Sequence, residues 1–141
     1  MKLHKTAAAA ETIALAESAA KTAVPGGVYA LTGPLGAGKT VFARGFARGL
    51  GYKGNTSSPT FTLMNVYEGG RLTLYHFDLY RLPESGAGLE DIGFEDYLYA
   101  GGVCLIEWAE RAETLMPETA VWVKFKLGGG ADGEQRVIEI I

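Results

Sequence analysis

A chain of 141 residues, 48% hydrophobic and 21% charged, has room for one packed core and little for a second domain. Its 13 Lys and Arg against 16 Asp and Glu give a net charge of −3, which argues against a broad phosphate-neutralising surface of its own. The single cysteine, Cys104, excludes an intrachain disulfide and a cysteine-rich zinc cage and suits a reducing cytoplasm.

Residues 7–23 are rich in alanine but interrupted by Glu11, Glu17 and Lys21, which suits a helix with one small-residue face rather than a signal peptide or a membrane span. Pro25, Gly26 and Gly27 stop it. Residues 28–31 form a short apolar run consistent with a buried strand, and residues 39–50 repeat Val41, Phe42, Phe46 and Leu50 at helical spacing before Gly51. Two β-rich runs, 61–67 and 72–77, flank Glu68-Gly69-Gly70-Arg71 and predict a hairpin, so the sheet is mixed rather than purely parallel. Residues 89–99 predict a short acidic helix, 103–106 a strand covered on both faces and ending at Glu107-Trp108, and 109–116 a helix stopped by Pro117. A second hairpin, 120–127 with 135–141, is expected to close the sheet.

Between the first predicted strand and the second predicted helix, Gly33, Pro34, Leu35, Gly36, Ala37, Gly38, Lys39 and Thr40 spell GxxxxGK[ST], in the context that this motif requires. Gly33 and Gly38 can adopt backbone conformations a Cβ forbids, so successive N–H groups turn inward around phosphate oxygens, with the positive end of a helix behind them. Lys39 offers a cation to the β and γ phosphates of a nucleotide, and Thr40 offers a hydroxyl oxygen to Mg²⁺. The fold class that follows is α/β: a single P-loop NTPase domain over residues 1–141, with a mixed parallel/antiparallel central sheet flanked by helices.

Such a site needs a carboxylate at the C-terminal end of a neighbouring strand. Glu107 ends the most apolar run in the chain, where an unpaired charge is costly to bury, and is the first candidate for a metal or water ligand. Asp78 follows the strand at 72–77; it is either a second site acid or a turn-forming or helix-capping residue. Trp108 is either an ordinary core residue or a shield over the phosphates. Ser58 and Thr60, in Ser58-Pro59-Thr60, occupy the place of a switch loop, although as local chemistry alone they form a turn. His4 and His76 have no partner at ligand spacing and read as structural or surface residues. The absence of an Asn-Lys-x-Asp motif leans away from a Ras-like GTPase.

Four segments, Gly33 to Thr40, Ser-Pro-Thr-Phe-Thr-Leu at 58–63, His-Phe-Asp-Leu-Tyr-Arg at 76–81 and Leu-Ile-Glu-Trp at 105–108, together resemble the bacterial TsaE (YjeE) family over almost the whole chain. The resemblance implies a small ATPase needed for making N6-threonylcarbamoyladenosine at position 37 of tRNAs that read codons beginning with A. It implies ATP and Mg²⁺ as cofactors and the TsaD and TsaB proteins as partners, TsaD being the catalytic subunit; tRNA is then met only indirectly, which agrees with the acidic net charge. It also implies Thr40 and Glu107 as Mg²⁺ ligands, Asp78 and Trp108 at the nucleotide, and Thr12, in Glu11-Thr12, near the adenine. Pro34 stands where many relatives carry an acidic or polar residue, which leaves the backbone cradle intact. In this reading Lys39, Glu107 and Asp78 carry catalysis, water activation or γ phosphate sensing falls to Asp78 and Thr60, and Ser58 and Thr60 form the switch. Two other readings remain: a small-molecule kinase, disfavoured by the lack of an arginine-rich lid, and a non-catalytic nucleotide-gated binding module whose partner surface is the acidic segment 84–96.

Overall fold

The computed structural model describes residues 2–56, 63–82, 88–89, 93–128 and 135–141. In chain order the elements are β1 (Lys2–Thr6), α1 (Ala9–Lys21), β2 (Val28–Thr32), α2 (Lys39–Gly49), β3 (Met64–Tyr67), β4 (Leu74–Asp78), α3 (Phe94–Leu98) and β5 (Val103–Glu107). A 3₁₀ helix (Ala109–Leu115), β6 (Val121–Leu127) and β7 (Arg136–Ile140) complete them. Among the described residues the seven strands form one sheet in the order β1-β7-β6-β2-β5-β4-β3. The central pairs β6/β2, β2/β5 and β5/β4 are parallel; β1/β7, β7/β6 and β4/β3 are antiparallel. The mixed sheet and the two hairpins therefore agree with expectation.

The parallel centre owes its position to its sequence. Every residue of β5 is buried, as a strand with both faces covered must be. Alternation sends Val103 and Leu105 into one core, with Phe42, Phe46 and Leu31, and Cys104 and Ile106 into the other, with Phe77, Leu79 and Phe94. The small-residue face predicted for the first helix is real and has a function. Ala16 and Ala20 are fully buried, and a Cβ added at Gly45 of α2 would lie 2.6 Å from the Ile13 carbonyl oxygen, while one at Gly49 would lie 2.7 Å from the Ala20 Cβ. The backbones of α1 and α2 thus touch through paired small residues along the body of α1, which holds it against the helix behind the glycine loop.

Four expectations need correction. A strand, β1, precedes the first helix; its sequence Lys2-Leu3-His4-Lys5-Thr6 is mostly exposed at the sheet edge, so it carries little apolar alternation to reveal it. As a result the second hairpin does not close the sheet, because β1 pairs outside β7. The strand expected at 72–77 begins at Leu74 and takes in Asp78. The helix expected over 109–116 is a 3₁₀ helix broken at Ala112, whose φ of −140° and ψ of 39° interrupt it. Within the acidic stretch at 89–99 the described helix is α3 alone. Residues 57–62, most of the acidic segment 84–96, and hence Ser58 and Thr60, lie outside the described residues. Among the described residues no helix is long and apolar enough to cross a membrane.

Candidate functional site

At the C-terminal ends of the parallel strands, where open α/β sheets place their ligands, lies a cavity of about 370 Å³. One end is walled by Lys39, Thr40, Asp78, Glu107 and Trp108, and the other by Ala8, Ala9, Thr12 and Arg136. The glycine loop runs between them. Gly33 (φ 144°) and Gly38 (φ 105°) both sit where an L side chain is strained, as the sequence predicted. Gly33 has a further reason to lack a side chain: its Cβ would lie 2.6 Å from the carbonyl oxygen of Phe125 on β6. Leu35, at the crest of the loop, is 71% exposed.

Lys39 opens α2 and is buried. Its ammonium donates to the carbonyls of Gly33 and Pro34, the latter at 3.0 Å, and lies 3.8 Å from the centre of the Trp108 ring. Burial holds its pKa below the ordinary lysine value, and the carboxylates of Glu110, Glu107 and Asp78 oppose that shift. Trp108 has φ 58°, the only positive φ of a non-glycine among the described residues. The turn it makes swings the indole over Lys39 and against Tyr80, whose ring centre is 5.0 Å away. Trp108 packs against one of the two cores and lines the cavity at once.

The Thr40 hydroxyl, on the residue after Lys39, donates to Oε1 of Glu107 at 2.9 Å. The other carboxylate oxygen, Oε2, lies 2.5 Å from Nε2 of His76. Glu107 is buried and paired on both oxygens, by partners from α2 and β4 that the sequence does not visibly join. Asp78 stands directly across from Glu107 in the β4/β5 register. It lines the cavity and its Oδ1 also accepts from the Tyr80 backbone N–H at 3.1 Å, so it is a turn-forming residue and a wall of the cavity at once.

At the opposite end Thr12 is buried and its hydroxyl is shared with Thr6 of β1 at 2.9 Å. Its methyl is the part nearest the loop, 4.0 Å from where a Gly38 Cβ would be. Glu11 turns back to accept from the Ala7 backbone N–H. Arg136, the first residue of β7, donates from Nη2 to the carbonyl of Gly36 at 3.0 Å, fastening the loop from the far side of the sheet.

A family profile described as "Threonylcarbamoyl adenosine biosynthesis protein TsaE" matches residues 6–137. The chain belongs to the TsaE family. Within the family, it is 44% identical over 124 residues to the tRNA threonylcarbamoyladenosine biosynthesis protein TsaE of Bacillus subtilis, covering 88% of this chain and 77% of that one. The TsaE protein of Treponema pallidum is 48% identical over 115 residues, 79% of this chain and 80% of its own. The crystal structure of Bacillus subtilis YdiB superposes with a TM-score of 0.82 at 37% identity, covering 99% of this chain and 83% of that one. The fold expected from the TsaE resemblance is therefore the fold found.

The donors present suit a magnesium nucleotide. Thr40 and Glu107 give two oxygen ligands, and among the described residues there is no group of three or more His, Cys, Asp or Glu able to cage a metal unaided. A cation placed there would need further oxygens, and phosphates are donors that commonly complete such a set. Tyr80 and Arg136 line the cavity without having been singled out from the sequence, and His76, read there as a structural or surface residue, is buried and paired with Glu107. For His76 a signal existed, because residues two apart on a strand share a face and His76 precedes Asp78 by two. Arg136 lies 100 residues from the loop it holds and left none.

Proposed function

We propose that this chain is a Mg²⁺-dependent ATP-binding and ATP-hydrolysing accessory subunit for making N6-threonylcarbamoyladenosine at position 37 of tRNAs that read codons beginning with A. It works in the cytoplasm through nucleotide-dependent association with TsaD and TsaB, and meets tRNA through them. The observation that carries the reading is the meeting of Lys39, Thr40 and Glu107 at the end of one cavity, beneath a left-handed glycine loop at a helix N-terminus. Membership of the TsaE family supports the pathway.

In this reading the backbone N–H groups of residues 33–40 and the ammonium of Lys39 bind the phosphates, the ammonium exchanging its own loop carbonyls for phosphate oxygens. Thr40 and Glu107 hold Mg²⁺, which when bound neutralises charge developing on the transferred phosphoryl group. Asp78 orients the attacking water, whose oxygen bonds to the γ phosphorus as the bond to the β,γ-bridging oxygen breaks; ADP leaves with that electron pair, and the water's proton passes to the phosphate that is released. Thr12 and Arg136 line the other end and fix the nucleotide's orientation.

The test is reconstitution with TsaD, TsaB, tRNA and the threonylcarbamoyl donor, counting modified tRNA per TsaD with and without this chain. Several turnovers only when the chain and hydrolysable ATP are both present are expected. Equal turnover with a non-hydrolysable analogue would overturn hydrolysis as the working step, and turnover independent of the chain would overturn the reading.

A further inference from the structure

We infer that His76 is a positioning residue for the cation end of the site, pinning one oxygen of Glu107 so that the other stays directed at Thr40. The inference rests on the proposed magnesium-nucleotide reading and extends it to a residue outside that ligand set.

A glutamate carboxylate rotates readily about its last torsion, because that sp³–sp² bond has a broad, roughly two-fold profile. Glu107 does not have that freedom. Its side chain is 3% exposed and that of His76 is 2%, so neither can turn to water for a replacement partner. With Nε2 of His76 at 2.5 Å from Oε2 and the Thr40 hydroxyl at 2.9 Å from Oε1, the carboxylate plane is defined from two sides.

The sheet register makes this arrangement local. Asp78 pairs with Glu107 and His76 with Leu105, so His76 and Asp78 stand two residues apart on one face of β4, beside Glu107 of β5. Phe77 between them points into the opposite core and packs edge-on against Phe94 at 5.1 Å, which fixes the phase of the strand. Behind the imidazole lies the Tyr67 ring, centroids 6.1 Å apart, and Asn65 donates to the Tyr67 hydroxyl at 3.3 Å. A series of side chains therefore runs from the edge strand β3 through His76 and Glu107 to Thr40. Groups that orient a metal ligand in this way commonly change metal affinity by 10- to 100-fold when removed.

The experiment compares His76→Phe, which keeps a ring without a donor, His76→Asn, whose amide is too short to reach Oε2, and His76→Gln, whose amide reaches it. For each variant, folded by circular dichroism at the assay temperature, ADP affinity is titrated against manganese(II) chloride and the bound Mn²⁺ is counted by electron paramagnetic resonance. We expect the half-saturating Mn²⁺ to rise about 10- to 100-fold in His76→Phe and His76→Asn, to return most of the way in His76→Gln, and ADP affinity without metal to stay near wild type. A side chain that merely fills space would leave Phe closest to wild type. Should His76→Phe fail to fold, the contrast between Asn and Gln decides. An unchanged Mn²⁺ requirement in Asn, beside a clear metal dependence in wild type, overturns this inference alone; no metal dependence in wild type overturns the magnesium-nucleotide reading and the inference with it.

Discussion

The two ends of the cavity are made in different ways. At one end Lys39, Thr40, Asp78, Glu107 and Trp108 converge from the tips of parallel strands and the helix that follows the first of them, and every one of these side chains carries charge, a hydroxyl or a large ring. The other end is assembled from the start of α1 and the start of β7, with two alanines, a threonine turned partly toward β1, and one arginine. The first end is specified by chemical type and the second by shape. The α1–α2 contact at Gly45 and Gly49 is what keeps the two in register.

That contrast predicts a graded response. Lys39→Ala removes the cation from the charged end and should weaken ATP binding about 100-fold, close to 3 kcal/mol for a buried charged donor, with the unfolding midpoint little changed; isothermal titration and a thermal melt check both halves. Wild-type affinity there would mean the charged end does not hold phosphates. Gly45→Ala acts on the link between the ends. Helix propensity alone favours alanine by about 1 kcal/mol, but the new Cβ would meet the Ile13 carbonyl at 2.6 Å, so we expect a net loss of about 2 kcal/mol in urea unfolding. A stabilised variant would show that α1 can move away freely. Arg136→Ala acts on the shaped end, loosening the loop at Gly36. Being partly solvated, that contact is worth only about 1 kcal/mol, and a roughly fivefold fall in nucleotide affinity should accompany it, read by equilibrium dialysis. An effect as large as that of Lys39→Ala would erase the distinction between the two ends.

The same contrast explains what could be read from residues alone. The glycine loop between β2 and α2 was legible because its turn needs backbone conformations that glycine accepts, and β5 because a strand buried on both faces is a continuous apolar run. The place of Glu107 at the end of that run was legible, but its pairing with His76 was not, because it depends on β4 lying beside β5. The role of Arg136 could not be read at all, since it arises only when β7 folds back beside β6 and brings the guanidinium to the Gly36 carbonyl. Strand β1 hid for a related reason: an edge strand exposed along most of its length has little need of apolar residues.

Trp108 is held in a backbone conformation that glycine accepts easily and tryptophan does not, a penalty of about 1–2 kcal/mol. Packing of the indole against the core and the Tyr80 ring offsets that strain. The same ring covers an ammonium, so a single strained corner both seals the core and walls the cavity.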